Sequence, residues 1–370
     1  MNTNKRVLWI AAGLVVACGF IILVGFLLFG LSGLNAPASP PTIDLFATLS
    51  ASSPVPGGPF TPIVQTGYPT VNVPTLALSS PTPTSTSQPS SGPEPTGVIA
   101  FTCQVDKVQA SDQICVINAD GTGFKQLTFD DVRHFYPSMS PDGKSVVYSA
   151  YREDNIFEIY EVNIATGNIK RLTDRLGVLT APEISPDGDQ IVFTRWTAQS
   201  DRYLIWTMDR DGKNAGNISG VEGWDPTWSP DGKHVLYAAN LNGSNQLYTI
   251  RVVDNSGRER TQIGNFSSLR GRSDWSPDGQ FIVTYSGQPW DREVYIMKAD
   301  GSDQRQLTPS GGNSQGPSIS PDNHWVAFTA YFDHPDDIHG CEIYIVRTNG
   351  TDLRRLTDND YCDYQPRWGP

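Results

Sequence analysis

Three local patterns in the sequence have residue types and spacings that could carry chemistry. In the run Tyr331-Phe332-Asp333-His334-Pro335-Asp336-Asp337-Ile338-His339, two imidazoles and three carboxylates offer ligands of the kinds that hold zinc or calcium. The spacing fits no standard zinc pattern and reads equally as a solvated loop, so neither a metal nor another cofactor is expected. Gly312-Asn313-Ser314-Gln315-Gly316 has the spacing of a nucleophile elbow, which needs a strand before it and a helix after it. The residues that follow read as a strand, and no nucleophilic catalysis is expected. Asp209-Arg210-Asp211-Gly212-Lys213-Asn214 opens like a calcium loop but lacks the closing Glu and occupies a recurring hairpin turn. No phosphate loop, paired-cysteine zinc motif or dinucleotide signature occurs. On these residues the chain reads as a binding protein and not as an enzyme.

The candidates for binding are Arg, aromatic and His side chains in segments of irregular sequence: Arg133, His134, Arg152, Trp196, Arg202, Trp224, Arg272, Trp290, Arg292, Tyr331, His334 and His339. Arginines and aromatics mixed with carboxylates are the usual anchors of protein or glycan contact. They form one surface only if the fold gathers them, and the element that would do so is a repeat. Ser-Pro-Asp-Gly recurs at 140–143, 185–188, 229–232 and 276–279, followed by Ser320-Pro321-Asp322-Asn323, with serines 45, 44, 47 and 44 residues apart.

Each copy has the same grammar. A short strand A, such as Asp225-Pro226-Thr227-Trp228, precedes the marker. The marker makes a tight turn, because Pro presets φ, Asp bonds nearby backbone and Gly accepts positive φ. An apolar strand B follows, for example Ser145-Val146-Val147-Tyr148, then a polar loop and a strand C such as Glu342-Ile343-Tyr344-Ile345-Val346. After a second Gly turn, strand D ends in Leu-Thr at 127–128, 172–173, 307–308 and 356–357. Four short antiparallel strands in roughly 45 residues make the blade of a β-propeller. The copy that starts at Val98 lacks strand A, and the last six residues, Gln365 to Pro370, supply one without B, C or D. The expectation is an all-β, six-bladed propeller of four-stranded antiparallel blades over 98–370, closed by the C-terminal strand pairing into the first blade. The B–C and D–A loops then share one rim, and the binding candidates are expected on it.

The run Pro226-Thr227-Trp228-Ser229-Pro230-Asp231-Gly232, the Ile-Tyr strand C and the Leu-Thr ending resemble the WD-repeat-like propeller of the TolB family over all of 98–370. Local departures are Ser273 in place of proline, Asn323 in place of glycine and Ile263-Gly264 in place of Leu-Thr. TolB proper carries a small α/β domain ahead of its propeller, where this chain has a different N-terminal segment. The resemblance implies a non-catalytic module that binds or scaffolds a protein, peptide or glycan of the cell envelope. Alternatives are a glycan-processing propeller, since some related propellers are lyases with a His-rich metal centre, or a sensor subunit of an envelope complex. Similar propellers also precede the hydrolase domain of prolyl oligopeptidases, and no such domain is expected here.

Residues 7–31 are an uncharged apolar run; as a helix it would be about 37 Å long, enough to cross a hydrocarbon core. Lys5 and Arg6 precede it, so residues 1–6 are expected in the cytoplasm, 7–31 as a single transmembrane signal anchor, and the rest outside. A lipoprotein box ending at Cys18 is the competing reading. Residues 32–97 are rich in Pro, Ser and Thr and are expected to be a disordered linker, of which 36–97 could reach up to about 190 Å. Only two basic and two acidic side chains fall in 1–97, so the net charge of -12 belongs to the repeat. That sign argues against nucleic acid as a partner. The four remaining cysteines lie in the first and last copies, and Cys103 with Cys115 and Cys341 with Cys362 are the favoured disulfides of an exported domain.

Overall fold

The computed structural model describes residues 92–106, 111–252, 259–332 and 340–370. The expected membrane span, most of the expected linker, His334 and His339 lie outside them. Among the described residues every regular element is a strand, and no helix is long and apolar enough to cross a membrane.

The strands fall into six four-stranded units. The first holds β1 (Val98–Asp106), β2 (Ser111–Asn118) and β3 (Lys125–Gln126). The second holds β4 (His134–Met139), β5 (Ser145–Glu153), β6 (Ile156–Asn163) and β7 (Ile169–Arg171). The third holds β8 (Val178–Ile184), β9 (Gln190–Thr197), β10 (Arg202–Asp209) and β11 (Gly216–Glu222). The fourth holds β12 (Trp224–Trp228), β13 (His234–Asn240), β14 (Asn245–Arg251) and β15 (Thr261–Ile263). The fifth holds β16 (Leu269–Trp275), β17 (Phe281–Gln288), β18 (Asp291–Lys298) and β19 (Arg305–Gln306). The sixth holds β20 (Gln315–Ile319), β21 (Trp325–Ala330), β22 (Glu342–Arg347) and β23 (Arg354–Arg355). The last strand, β24 (Asp363–Gly369), pairs antiparallel with β1, with Val98 opposite Gly369 and Cys103 opposite Asp363. It completes the first unit in the order β24-β1-β2-β3. Units two and three are joined by a single parallel bridge, Phe157 to Val178.

Apolar residues from strands B and C pack between neighbouring units. Val192 and Ile205 of unit three meet Tyr237 and Ile250 of unit four, and Ile99 and Phe101 of unit one meet Trp325 and Ile343 of unit six. The repeated motifs have specific bonding roles. In each marker the serine hydroxyl donates to the aspartate two residues on, at 2.5 to 2.7 Å, and accepts the N–H that starts strand B. That bonding holds Asp142 ionised, with its pKa down at about 2, the Ser140 hydroxyl being the largest cause. Asn323 serves in place of glycine because it adopts φ 64°, which asparagine tolerates. The threonine of each Leu-Thr accepts a strand-C N–H, from Ile114, Ile159, Val294 and Ile343, at 2.9 to 3.0 Å. Units three and four have no such threonine; in unit four Gln246 exchanges two hydrogen bonds with the backbone of Phe266 instead, and in unit three Gly223 N donates to Tyr203 O.

Both expected disulfides are present. Cys103–Cys115 lies within unit one, and Cys341–Cys362 joins the start of β22 to the start of β24. The stretch 92–97, expected within the linker, is instead held against the protein. Pro93 O accepts from Trp325 Nε1 (3.2 Å) and Arg347 Nη1 (3.1 Å), Glu94 pairs with Arg354, and Thr96 O accepts from Trp368 Nε1. Arg347 and Arg354 in turn stack on the Trp325 ring at 4.1 and 4.8 Å from its centroid. Proline removes a donor but leaves its carbonyl free to accept, and these indole and guanidinium donors use that carbonyl.

Candidate functional site

The six A strands (β4, β8, β12, β16, β20 and β24) share an irregularity that sets the site. Each carries a register shift against its B strand at the same place. At that place Tyr136, Ala181, Asp225, Arg272, Gly316 and Gln365 all have φ between 27° and 57°. Five of the six are not glycine, and the left-handed conformation costs such residues about 1–2 kcal/mol each. The backbone repeats here while the side chain differs in every copy.

These side chains and those two residues further on interlock. Arg272 N donates to Asp225 Oδ2 (3.0 Å), and Tyr136 N donates to Gln365 Oε1 (2.8 Å). Glu183 Oε1 accepts from Thr227 Oγ1 and Trp228 N, and Asp274 Oδ2 accepts from Ser318 Oγ and Ile319 N. Gly271, at φ 130°, cannot be replaced without strain, since a Cβ there would stand 2.5 Å from Asp225 Oδ2. Two arginines link A strands that are not neighbours. Arg272 Nη2 donates to Pro137 O of β4 (2.6 Å). Arg367 approaches Glu183 of β8 (3.4 Å) and Asp274 of β16 (3.3 Å), and its Nη2 donates to Ser273 O. Burial raises the carboxyls of Glu183 and Asp225, against the pull of Arg367 and Arg272 respectively. Burial, with Arg367 second, draws the Arg272 guanidinium down to about 9. The Tyr285 phenol is pushed up to about 12, first by burial and then by Asp225.

The binding candidates divide. Arg272 and Arg292, expected to be displayed, are 4% and 8% exposed; Arg272 lies across the A strands, and Arg292 Nη1 donates to Gln315 Oε1 (2.7 Å). His134 is 1% exposed, bonded to Thr128 and 3.1 Å from Asp130, and so is structural and not part of an open rim. Trp224 donates to Arg270 O, beside Arg272. Exposed Trp290 meets Tyr331 edge-on at 5.3 Å. Arg133 is tied to buried Asp112 (2.7 Å), Arg202 pairs with Glu222, Trp196 donates to Asp201, and Arg152 is exposed. Tyr136, Glu183, Gln365 and Arg367 were not among the candidates. The signal that finds them is internal: the residues on either side of the strand-A proline, or of Ser273 in the fifth copy, change from copy to copy while their surroundings repeat. Among the described residues no group of three or more His, Cys, Asp or Glu side chains is placed to hold a metal ion.

Comparison with known proteins fits this architecture. The chain is 27% identical over 196 residues to the Tol-Pal system protein TolB of Francisella tularensis, covering 52% of this chain and 44% of that one. It is 26% identical over 226 residues to the uncharacterized peptidase YuxL of Bacillus subtilis, covering 58% of this chain and 32% of that one. It thus spans less than half of either relative. The crystal structure of TolB from Acinetobacter baumannii superposes with a TM-score of 0.65 at 22% identity, covering 75% of this chain and 68% of that one, a likeness of fold. The family model for the TolB beta propeller domain matches residues 94–258 and 202–370, and the chain belongs to that family.

Proposed function

We propose that this chain is a non-catalytic binding module of the cell envelope: a six-bladed propeller closed by β24, held outside the membrane by an anchor at 7–31 and a Pro-rich linker. Its partner is a protein, engaged where the B–C and D–A loops surround the six A strands. The observation that carries this reading is the left-handed position with six different side chains on one repeated backbone. These side chains are buried and bonded across units, so they set the shape of the face on which the loops stand, and contact with a partner falls to exposed loop residues such as Trp290. The apolar run of 7–31 and the Tol-Pal relative support the envelope location.

The test is photocrosslinking in native membranes from single reporter positions. Reporters replacing Trp290 or Tyr331 are expected to give a discrete protein adduct, and one replacing Ile169, exposed in strand D of unit two, is not. Equal labelling from both groups, or turnover of a glycan by the purified chain, would replace this reading with another.

A further inference from the structure

The seam where the ring closes is fastened unevenly, and residues 92–97 lie at its loose end. β24 enters the seam bound to unit six by Cys341–Cys362, beside the pairing of Asp363 with Cys103 in the β24–β1 ladder. At the other end of that ladder Val98 stands opposite Gly369, and among the described residues no disulfide holds that end. There residues 92–97 cross from one unit to the other. On unit six, Gly92 O and Pro93 O accept from Arg347 Nη2 (3.3 Å) and Nη1 (3.1 Å), Pro93 O accepts also from Trp325 Nε1 (3.2 Å), and both oxygens of Glu94 accept from Arg354. On unit one, Thr96 O accepts from Trp368 Nε1 (2.8 Å) and Gly97 O from Ala119 N (3.0 Å). Pro95, between the two sets, is buried. At Gly97, φ 92°, a Cβ would stand 2.4 Å from Gly369 O, so this stretch runs against the closing strand backbone to backbone.

The placement decides how the ring meets a pull. Val98 pairs with Gly369 on one side and Asn118 on the other, so tension applied at Val98 would enter both ladders at their ends and open them one pair at a time. A single backbone hydrogen bond resists weakly, whereas bonds from guanidinium to carbonyl or carboxylate are charge-assisted and about twice as strong. Tension arriving from residues before Gly92 meets the guanidinium and indole bonds of 92–94 first, on unit six, and Val98 stays unloaded while they hold. We propose that residues 92–97 are a strap that locks the loose end of the seam and takes the pull of the tether in place of β1. The inference rests on the tethered reading above and adds where that tether is made fast.

The test compares the solubilised full chain with a form lacking residues 92–96 and with Glu94→Ala, by hydrogen exchange and by pulling single molecules between handles replacing Ser87 and Trp290. Removal of 92–96 uncovers Trp325 and can impair folding; Glu94 is exposed, and its replacement removes only the bonds to Arg354. Exchange in Val98–Ala100 and Arg367–Gly369 is expected to quicken about tenfold or more in the deletion and severalfold in Glu94→Ala, with the strands of unit four unchanged. Under tension both variants are expected to lose the β1–β24 pairing at lower force than the parent. Unchanged exchange at the seam, or an equal rise in all six units, overturns the lock. Seam opening at the parent's force in both variants overturns the strap as the bearer of the pull. If the chain proves not to be anchored in membranes yet its seam loosens as expected, the strap stands and the tethered reading falls.

Discussion

Replacing Asp363 by asparagine should stabilise the protein at neutral pH, although the carboxyl is buried and hydrogen-bonded. Asp363 opens β24, next to Cys362, and is 1% exposed. Burial, with the Glu342 carboxyl second, pushes its pKa up to about 8, while Asn359 Nδ2, donating at 2.9 Å, pulls the other way. In the unfolded chain the same group ionises at about 3.9. Between those values unfolding releases a proton, so this residue's contribution falls as pH rises from about 4 to about 8 and is level above. At about 1.4 kcal/mol per pH unit the whole span is worth about 6 kcal/mol. The substituted amide would keep an oxygen for Asn359 and would not ionise in either state. The assay is urea unfolding of parent and Asp363→Asn at half-unit steps from about pH 4.5 to 8.5, the range over which the group's two states differ in charge. The difference between them is expected to widen in the variant's favour as pH rises and to level near pH 8. Glu183, Asp225, Glu293 and Glu342 are also raised by burial, so both proteins lose stability over this range, and the difference reports Asp363 together with its coupling to Glu342. Parallel profiles, or a variant less stable than the parent at neutral pH, would refute the reasoning.

Joint replacement of Cys341 and Cys362 by serine should cost about 3 kcal/mol, from the loop entropy of a 21-residue separation, and should raise the rate at which a protease cuts β24; an unfolding midpoint within error of the parent's would contradict it. Arg367→Met strands Glu183 and Asp274 without their cation and is expected to lose about 3–5 kcal/mol, most of it recovered when both carboxylates are also made neutral amides. Ala181→Gly should gain up to about 1 kcal/mol in denaturant unfolding, because φ 50° suits glycine better than alanine. Trp325→Ala removes a stacked indole and the donor to Pro93, and hydrogen exchange at 92–97 is expected to rise with it.

Much of this structure was legible in the sequence because the repeat states its own bonding. A serine two residues before an aspartate and five before a strand, or a leucine-threonine pair after a glycine turn, specifies local hydrogen bonds that depend on no distant residue. The cysteine pairing was legible for a related reason, since the first and last copies are where strands far apart in sequence must join. The candidate site was harder to read. Alternation along a strand locates a face, but an extra residue in left-handed conformation shifts every later side chain, and nothing in the pattern of Tyr136-Pro137 or Asp225-Pro226 announces that conformation. Arg272 and Arg292 were expected in water because arginine is seldom fully buried, and burying them requires acceptors contributed by other units. The docking of 92–97 was hidden by composition, because a proline-rich segment reads as unpaired until the donors of Trp325, Arg347 and Trp368 are brought to it.

The division between constant and divergent positions therefore separates two jobs within one repeat. The serine–aspartate clamps and the threonine bonds recur with nearly the same lengths in the units that have them, and in unit four Gln246 and Phe266 stand in for a missing threonine. At the left-handed position the backbone recurs and the side chain does not. Tyrosine, alanine, aspartate, arginine, glycine and glutamine occupy one geometry, at a conformational cost that only glycine escapes. If that position served only to close the ring, glycine would serve best in every unit. The cost is retained where side chains meet across units, as Asp225 meets the backbone of Arg272 and Gln365 that of Tyr136.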